Sequence, residues 1–163
     1  MTILERLEGL AYSDGRPNWW GRLLNRIVRG WASTGFPPTF NQIALEVPGR
    51  RSGVPRRTVV LVGEHLGAEY LVSMLGPDSE WLRNIRASGG AAAIVRRRRR
   101  IPIHLVEVPV EERAPIIKAW AKRAVGGRHF LGIPFDSDLG EYAAIAARHP
   151  VYRIDRKAAP TPG

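Results

Sequence analysis

Residues 47–56 read VPGRRSGVPR, a stretch whose residue types could hold an anion. Gly49 and Gly53 permit positive φ, Pro48 and Pro55 stiffen the two shoulders, and the amides between them can turn toward one point. Arg50, Arg51 and Arg56 add guanidinium forks that match phosphate or carboxylate, and Ser52 adds a short hydroxyl donor. Amides and guanidinium groups arranged in this way make an anion-binding nest. A basic hairpin with glycines also occurs as a plain solvated connection, and these residues alone fit both descriptions. Arg57 has a part in neither.

Residues 73–84, SMLGPDSEWLRN, form a second candidate. Ser73, Met74 and Gly76 leave the end of an apolar strand and lead into a short helix that Asp78 or Ser79 can cap and Gly89 can end. The amides at such a helix start, aided by the dipole, favour an anion or a ring carbonyl. Trp81 and Asn84, three apart, lie on adjacent parts of one helix face. The plainer alternative makes Trp81 a core residue and Asn84 a solvent-facing one.

Other chemistries lack their residues. The chain has no cysteine, so it has no thiol nucleophile, disulfide or thiolate metal site, and redox chemistry would need a bound cofactor. His65, His104, His129 and His149 are far apart, with no metal-ligand spacing, and no metal is expected. No GxSxG elbow, Walker loop or GxGxxG fingerprint occurs. No residue is assigned as catalytic. The arginine run 96–100 suggests nucleic acid, but it lies between AAAIV and IPIHLVEV without aromatic residues for base stacking. A solvated hairpin is expected there, and nucleic acid is not an expected partner.

The elements that would position these residues are mostly strands. QIALEV, TVVLVG, EYLVSML, AAAIVR, IPIHLVEV and VYRID are short, rich in β-branched residues and bounded by Gly or Pro. Consecutive short strands with little helix between them predict an antiparallel sheet or barrel. Residues 110–125 predict a helix with acids in its first turn and bases in its last, and SDLGEYAAIAARHP predicts another. Upstream, residues 19–31 place Trp20, Leu23, Leu24, Ile27, Val28 and Trp31 at helical spacing with arginines between, an amphipathic basic helix. The predicted class is α+β, a barrel with surrounding helices. The 163 residues read as one domain, with a helical segment over 1–35 and the barrel core over 40–155. KAAPTPG reads as a frayed tail.

Lysine and arginine total 25 against 15 acidic residues, a formal +10, which predicts an anionic partner. Glu5, Arg6 and Glu8 interrupt the N-terminal apolar pattern, which argues against a signal peptide, and no stretch approaches the roughly 20 apolar residues of a membrane span. A cytoplasmic protein is expected.

Taken in order, GRRSGVPR, a strand, a strand ending VSMLG, then WLRN and a basic hairpin resemble the deazaflavin-dependent nitroreductase and quinone reductase family over about residues 40 to 154. The resemblance implies a split β-barrel of about six antiparallel strands. It implies coenzyme F420 as cofactor and hydride transfer from the reduced deazaflavin to a small-molecule acceptor such as a quinone or nitroaromatic, with a proton following from solvent or a polar side chain. It further implies that Arg50, Arg51, Ser52, Gly53 and Arg56 hold the phosphate and acidic tail. Ser73, Met74 and Gly76 would line the ring, and Trp81 and Asn84 would complete the pocket. The helix over 19–31 would cover the acceptor side. Two departures stand out: SMLGP replaces an SxGG followed by lysine, and Phe130 and Phe135, which donate no proton, occupy a region where some members place tyrosines. The alternatives are an FMN-binding split barrel, or a non-catalytic binder of an anionic ligand or membrane surface through the N-terminal helix.

Overall fold

The computed structural model describes residues 12–13, 16–17, 41–96, 98–124 and 128–156. The predicted N-terminal helix over 19–31 and the tail 157–163 lie outside the described residues, as does the Arg97 backbone. A two-residue ribbon pairs β1 (Tyr12–Ser13) with β2 (Arg16–Pro17). The remaining strands are β3 (Gln42–Pro48), β4 (Pro55–His65), β5 (Ala68–Val72), β6 (Ala91–Arg96), β7 (Arg99–Glu107) and β8 (Val151–Asp155). They close into a barrel in the order β3-β4-β5-β8-β7-β6, every neighbouring pair antiparallel. Closure leaves no open sheet edge, and the period-two alternation of these strands gives the barrel an inner and an outer apolar face.

The inner face is filled by residues including Leu45, Leu71, Ile94, Ile103, Leu105 and Tyr152. Helix α1 (Glu80–Ala87) adds Leu82 and Ile85 to this core, and their spacing of three puts both on one helix face. The outer face of β5 and β8 carries a second core, built with α2 (Arg113–Arg123) and α3 (Leu139–Ile145). Its centre is Trp120, whose indole N–H donates to the Leu61 carbonyl at 3.0 Å. The strand beneath must be flat there: a Cβ on Gly63 would lie 2.7 Å from Trp120 Cδ1.

All six predicted barrel strands form, with differences at their ends. EYLVSML stops at Val72, because the Ser73 hydroxyl donates to the Gly76 carbonyl at 2.6 Å and Gly76 takes φ +89, which turns the chain. TVVLVG extends both ways to Pro55 and His65, since it pairs first with β3 and then with β5. The arginine run forms the end of β6, a tip with Arg98 at φ 63, and the start of β7. The helix predicted over 110–125 divides into a 3-10 turn at Val110–Glu112 and α2, with Pro115 inside the first turn of α2, where no intrahelical N–H bond is needed. Asp138 caps α3 by accepting from the Glu141 amide at 2.9 Å. Among the described residues no helix is long and apolar enough to cross a membrane.

Candidate active site

Residues 49–54 connect β3 to β4 as a tight hairpin turn that satisfies most of its own amides. Gly49 N–H donates to Val54 O at 3.0 Å, Gly53 N–H to Gly49 O at 2.7 Å, and Val54 N–H to Ser52 Oγ at 3.3 Å. Gly53 adopts φ +68, the left-handed conformation open to glycine. Gly49 is required for a different reason: a Cβ there would lie 2.9 Å from the Val54 carbonyl oxygen. The amides of Arg51 and Ser52 have no partner among the described residues. The anion nest thus narrows to two adjacent amides and the Ser52 O–H.

This turn is fastened to α1, which brings the two candidate stretches together across 34 residues of sequence. Asn84 is 5% exposed, so it is a buried residue and not a solvent-facing one. Its Oδ1 accepts from the Arg50 amide at 3.2 Å and from Arg50 Nη1 at 3.1 Å. The same guanidinium pairs with Glu80 at 2.7 Å. The Glu80 carboxyl is held below the usual carboxylate range chiefly by this Arg50 bond, against the opposing effect of burial, with the charges of Arg50, Arg83 and Arg51 adding to the lowering. Arg51 in this turn and Arg56 at the start of β4 are exposed, and their side chains have no hydrogen-bonded partner among the described residues. Three arginines of one motif therefore differ: Arg50 is fastened to α1, while Arg51 and Arg56 remain available to a ligand.

At the start of α1, Ser79 occupies the N-cap with extended backbone, yet its side chain does not cap the helix. Its hydroxyl lies 3.0 Å from Ser73 Oγ; because Ser73 donates to Gly76, Ser79 is the donor of that pair. Ser73 is buried, and its carbonyl accepts from His149 Nδ1 at 3.0 Å. Burial, with a smaller opposing effect of that bond, pushes the His149 pKa below the ordinary imidazole value, so this ring is neutral near neutral pH. Met74 packs into the outer core beside α2 and α3. Trp81 is half-buried against the inner core, edge-on to Tyr152 with centroids 5.9 Å apart. The structure thus brings the hairpin that carries Arg50, Arg51, Ser52, Gly53 and Arg56 against Asn84 of α1, the helix that also carries Trp81. The Ser73 hydroxyl is engaged within its own turn, and Met74 belongs to a different apolar layer.

Sequence reasoning missed several partners. Glu80 was legible only as an acid in a first helical turn. Arg57, left without a role, donates through Nε to Glu46 at 2.7 Å, and Arg100 donates to the other oxygen of Glu46 at 2.6 Å. Tyr152 and Glu107, joined by a 2.7 Å hydrogen bond, sit behind Trp81. A charge inside an apolar strand, as with Glu46 in QIALEV, was the one available signal. A groove of about 120 Å³ lined in part by Tyr70, Glu107, Ile116 and Arg153 contains none of the predicted residues.

Residues 19–127 match the family described as F420H(2)-dependent quinone reductase. Among solved structures, the chain is similar to one described as a domain-swapped dimer, at 22% identity over 84% of this chain and 97% of that one, with a TM-score of 0.47. It is similar to an F420-H2 dependent reductase at 22% identity, over 71% of this chain and 94% of that one, TM-score 0.45. It is also similar to a pyridoxamine 5'-phosphate oxidase-related, FMN binding protein from Nostoc punctiforme, at 12% identity over 86% and 82%, TM-score 0.46. Among curated proteins, none matches the chain. The family match spans more than half of the sequence and includes both the hairpin and α1: the chain belongs to the F420H(2)-dependent quinone reductases, oxidoreductases whose cofactor is F420.

Proposed function

We propose that this chain reduces a quinone at the place where the β3–β4 hairpin meets α1. The observation that supports this reading is the division of labour among the arginines: Arg50 fixes the hairpin to α1, and Arg51 and Arg56 stay free beside it. The residues fit the cofactor. Two guanidinium groups, the Arg51 and Ser52 amides and the Ser52 O–H form a donor set, suited to a phosphate and an acidic tail, whose guanidinium and amide groups have no hydrogen-bonded acceptor among the described residues. The Trp81 indole, half-exposed on the helix to which the hairpin is fastened, is suited to a flat ring.

In this reading Arg51, Arg56, Ser52 and Gly53 hold the anionic part, and Arg50 and Asn84 set the angle of the hairpin. Trp81 and Gly76 border the ring, and Ser73 and Met74 shape the turn behind it. When bound, reduced F420 supplies a hydride; with one proton from solvent, the quinone becomes the quinol. The protein contributes binding and orientation, which at a fixed geometry is worth several kcal/mol of barrier.

Two measurements test the proposal. Titration of F420 fluorescence with purified protein is expected to show saturable binding. Oxidation of F420H2 is then followed with a water-soluble naphthoquinone or with a nitroaromatic of similar size. Faster turnover with the quinone is expected; turnover with the nitroaromatic alone would overturn the quinone assignment.

A further inference from the structure

We infer that Tyr152, braced by Glu107, is a positioning residue that sets the orientation of the Trp81 indole. The inference rests on the functional reading above only in taking Trp81 as a wall of the cofactor site.

Helix α1 is eight residues long and its N-cap side chain is turned away, so its own hydrogen bonds do little to fix the residue next to its start. Trp81 is that residue. Leu82 and Ile85 fix the axis of α1 on the barrel core, but the half-buried indole must take its orientation from another neighbour. Tyr152 supplies it: the two rings meet at 66°, edge to face.

Tyr152 is itself held tightly. It is 2% exposed, inside the barrel on β8, directly across from Glu107 on β7. Its phenol donates to Glu107 Oε2 at 2.7 Å. The other carboxylate oxygen, Oε1, accepts from Arg113 at 3.1 Å and from Arg86 at 3.5 Å. Arg113 is a buried anchor, since it also donates to the carbonyls of Val108 at 2.8 Å and Ala146 at 3.2 Å. Arg86 closes the circuit, because it lies on α1 five residues beyond Trp81. Burial, reinforced by the Glu107 bond, pushes the Tyr152 pKa up to about 12, so the phenol keeps its proton and remains a donor throughout the working range.

The test reads Trp81 without the cofactor and then with it. The near-UV circular dichroism of Trp81 is isolated by subtracting the spectrum of Trp81→Phe from that of the unaltered protein. Tyr152→Leu is expected to abolish this band, and Tyr152→Phe, which keeps the ring edge, to recover most of it. Loss of the edge contact is expected to weaken F420 binding about three- to tenfold. A Tyr152→Leu protein that keeps both the Trp81 band and its F420 affinity overturns the inference. Where Tyr152→Leu does not fold, Glu107→Ala removes the brace at a partly exposed position; a diminished band supports the inference and an unchanged one overturns it. Should the unaltered protein fail to bind F420 while the band still depends on Tyr152, the functional reading falls and the positioning role stands.

Discussion

Arg50, Arg51 and Arg56 look interchangeable in a string of letters and occupy two different environments in the folded chain. Arg50 bonds Glu80 and Asn84 and so belongs to the joint between hairpin and helix. Arg50→Ala is therefore expected to lower the thermal midpoint and weaken F420 binding together. Arg51→Ala and Arg56→Ala are expected to leave the midpoint unchanged and weaken binding about ten- to a hundredfold each, since a charge-assisted hydrogen bond is worth about 1.5–3 kcal/mol. Paired melting curves and fluorescence titrations separate the two classes; equal melting losses in all three variants would refute the division. Asn84→Ala leaves the inner side of the joint without its acceptor and should cost about 1–3 kcal/mol in chemical denaturation. The sequence showed that these residues could bind an anion, because donor chemistry is written in residue type. Which arginine would be diverted to a carboxylate 30 positions away was not legible, since the pairing depends on where α1 comes to rest.

At the scale of elements, the barrel strands were legible because each alternates and ends at Gly or Pro. Their lengths were not, since a strand continues as long as a neighbour pairs with it: β4 is long because it serves two partners in turn. The turn after β5 was misread as strand for the opposite reason. Ser73, Met74 and Leu75 are acceptable strand residues, but the Ser73 hydroxyl binds the chain back on itself. The contact between β4 and α2 was invisible as well, although Gly63 marks it. With Trp120 Cδ1 and Cβ at 2.7 and 2.8 Å from a built Cβ, Gly63→Ala must push α2 away from the barrel. Overpacking of this kind is expected to destabilise by about 1–3 kcal/mol in urea unfolding. It should also break the indole bond to Leu61 and shift Trp120 emission. Unchanged stability would mean that α2 floats on the barrel, contrary to its buried indole.

For the molecule as a whole, the +10 charge suggested an anionic partner but concealed how many of the arginines neutralise carboxylates internally. Glu46, Glu64, Glu69, Glu80 and Glu107 each hold at least one arginine. Glu46 matters most to the barrel. From β3, 4% exposed, it accepts from Arg57 on β4 and from Arg100, which reaches across β6 from β7, so one carboxylate ties three strands of the barrel. Burial alone would raise its pKa, but the hydrogen bonds and charges of Arg100 and Arg57 together outweigh burial and hold it below the ordinary 4.5. A carboxyl depressed in the folded state contributes stability that is present above its unfolded value and lost as pH falls through its folded one. Glu46→Gln is accordingly expected to destabilise the barrel at neutral pH by about 1–2 kcal/mol, discounted because both arginines are half exposed to water. As pH falls from 4.5 through the depressed folded value, the urea midpoints of variant and unaltered protein should converge, because protonation removes from Glu46 the charge that the glutamine variant already lacks. A gap that stays constant from pH 7 down into the acid range would show that Glu46 acts by shape and not by charge.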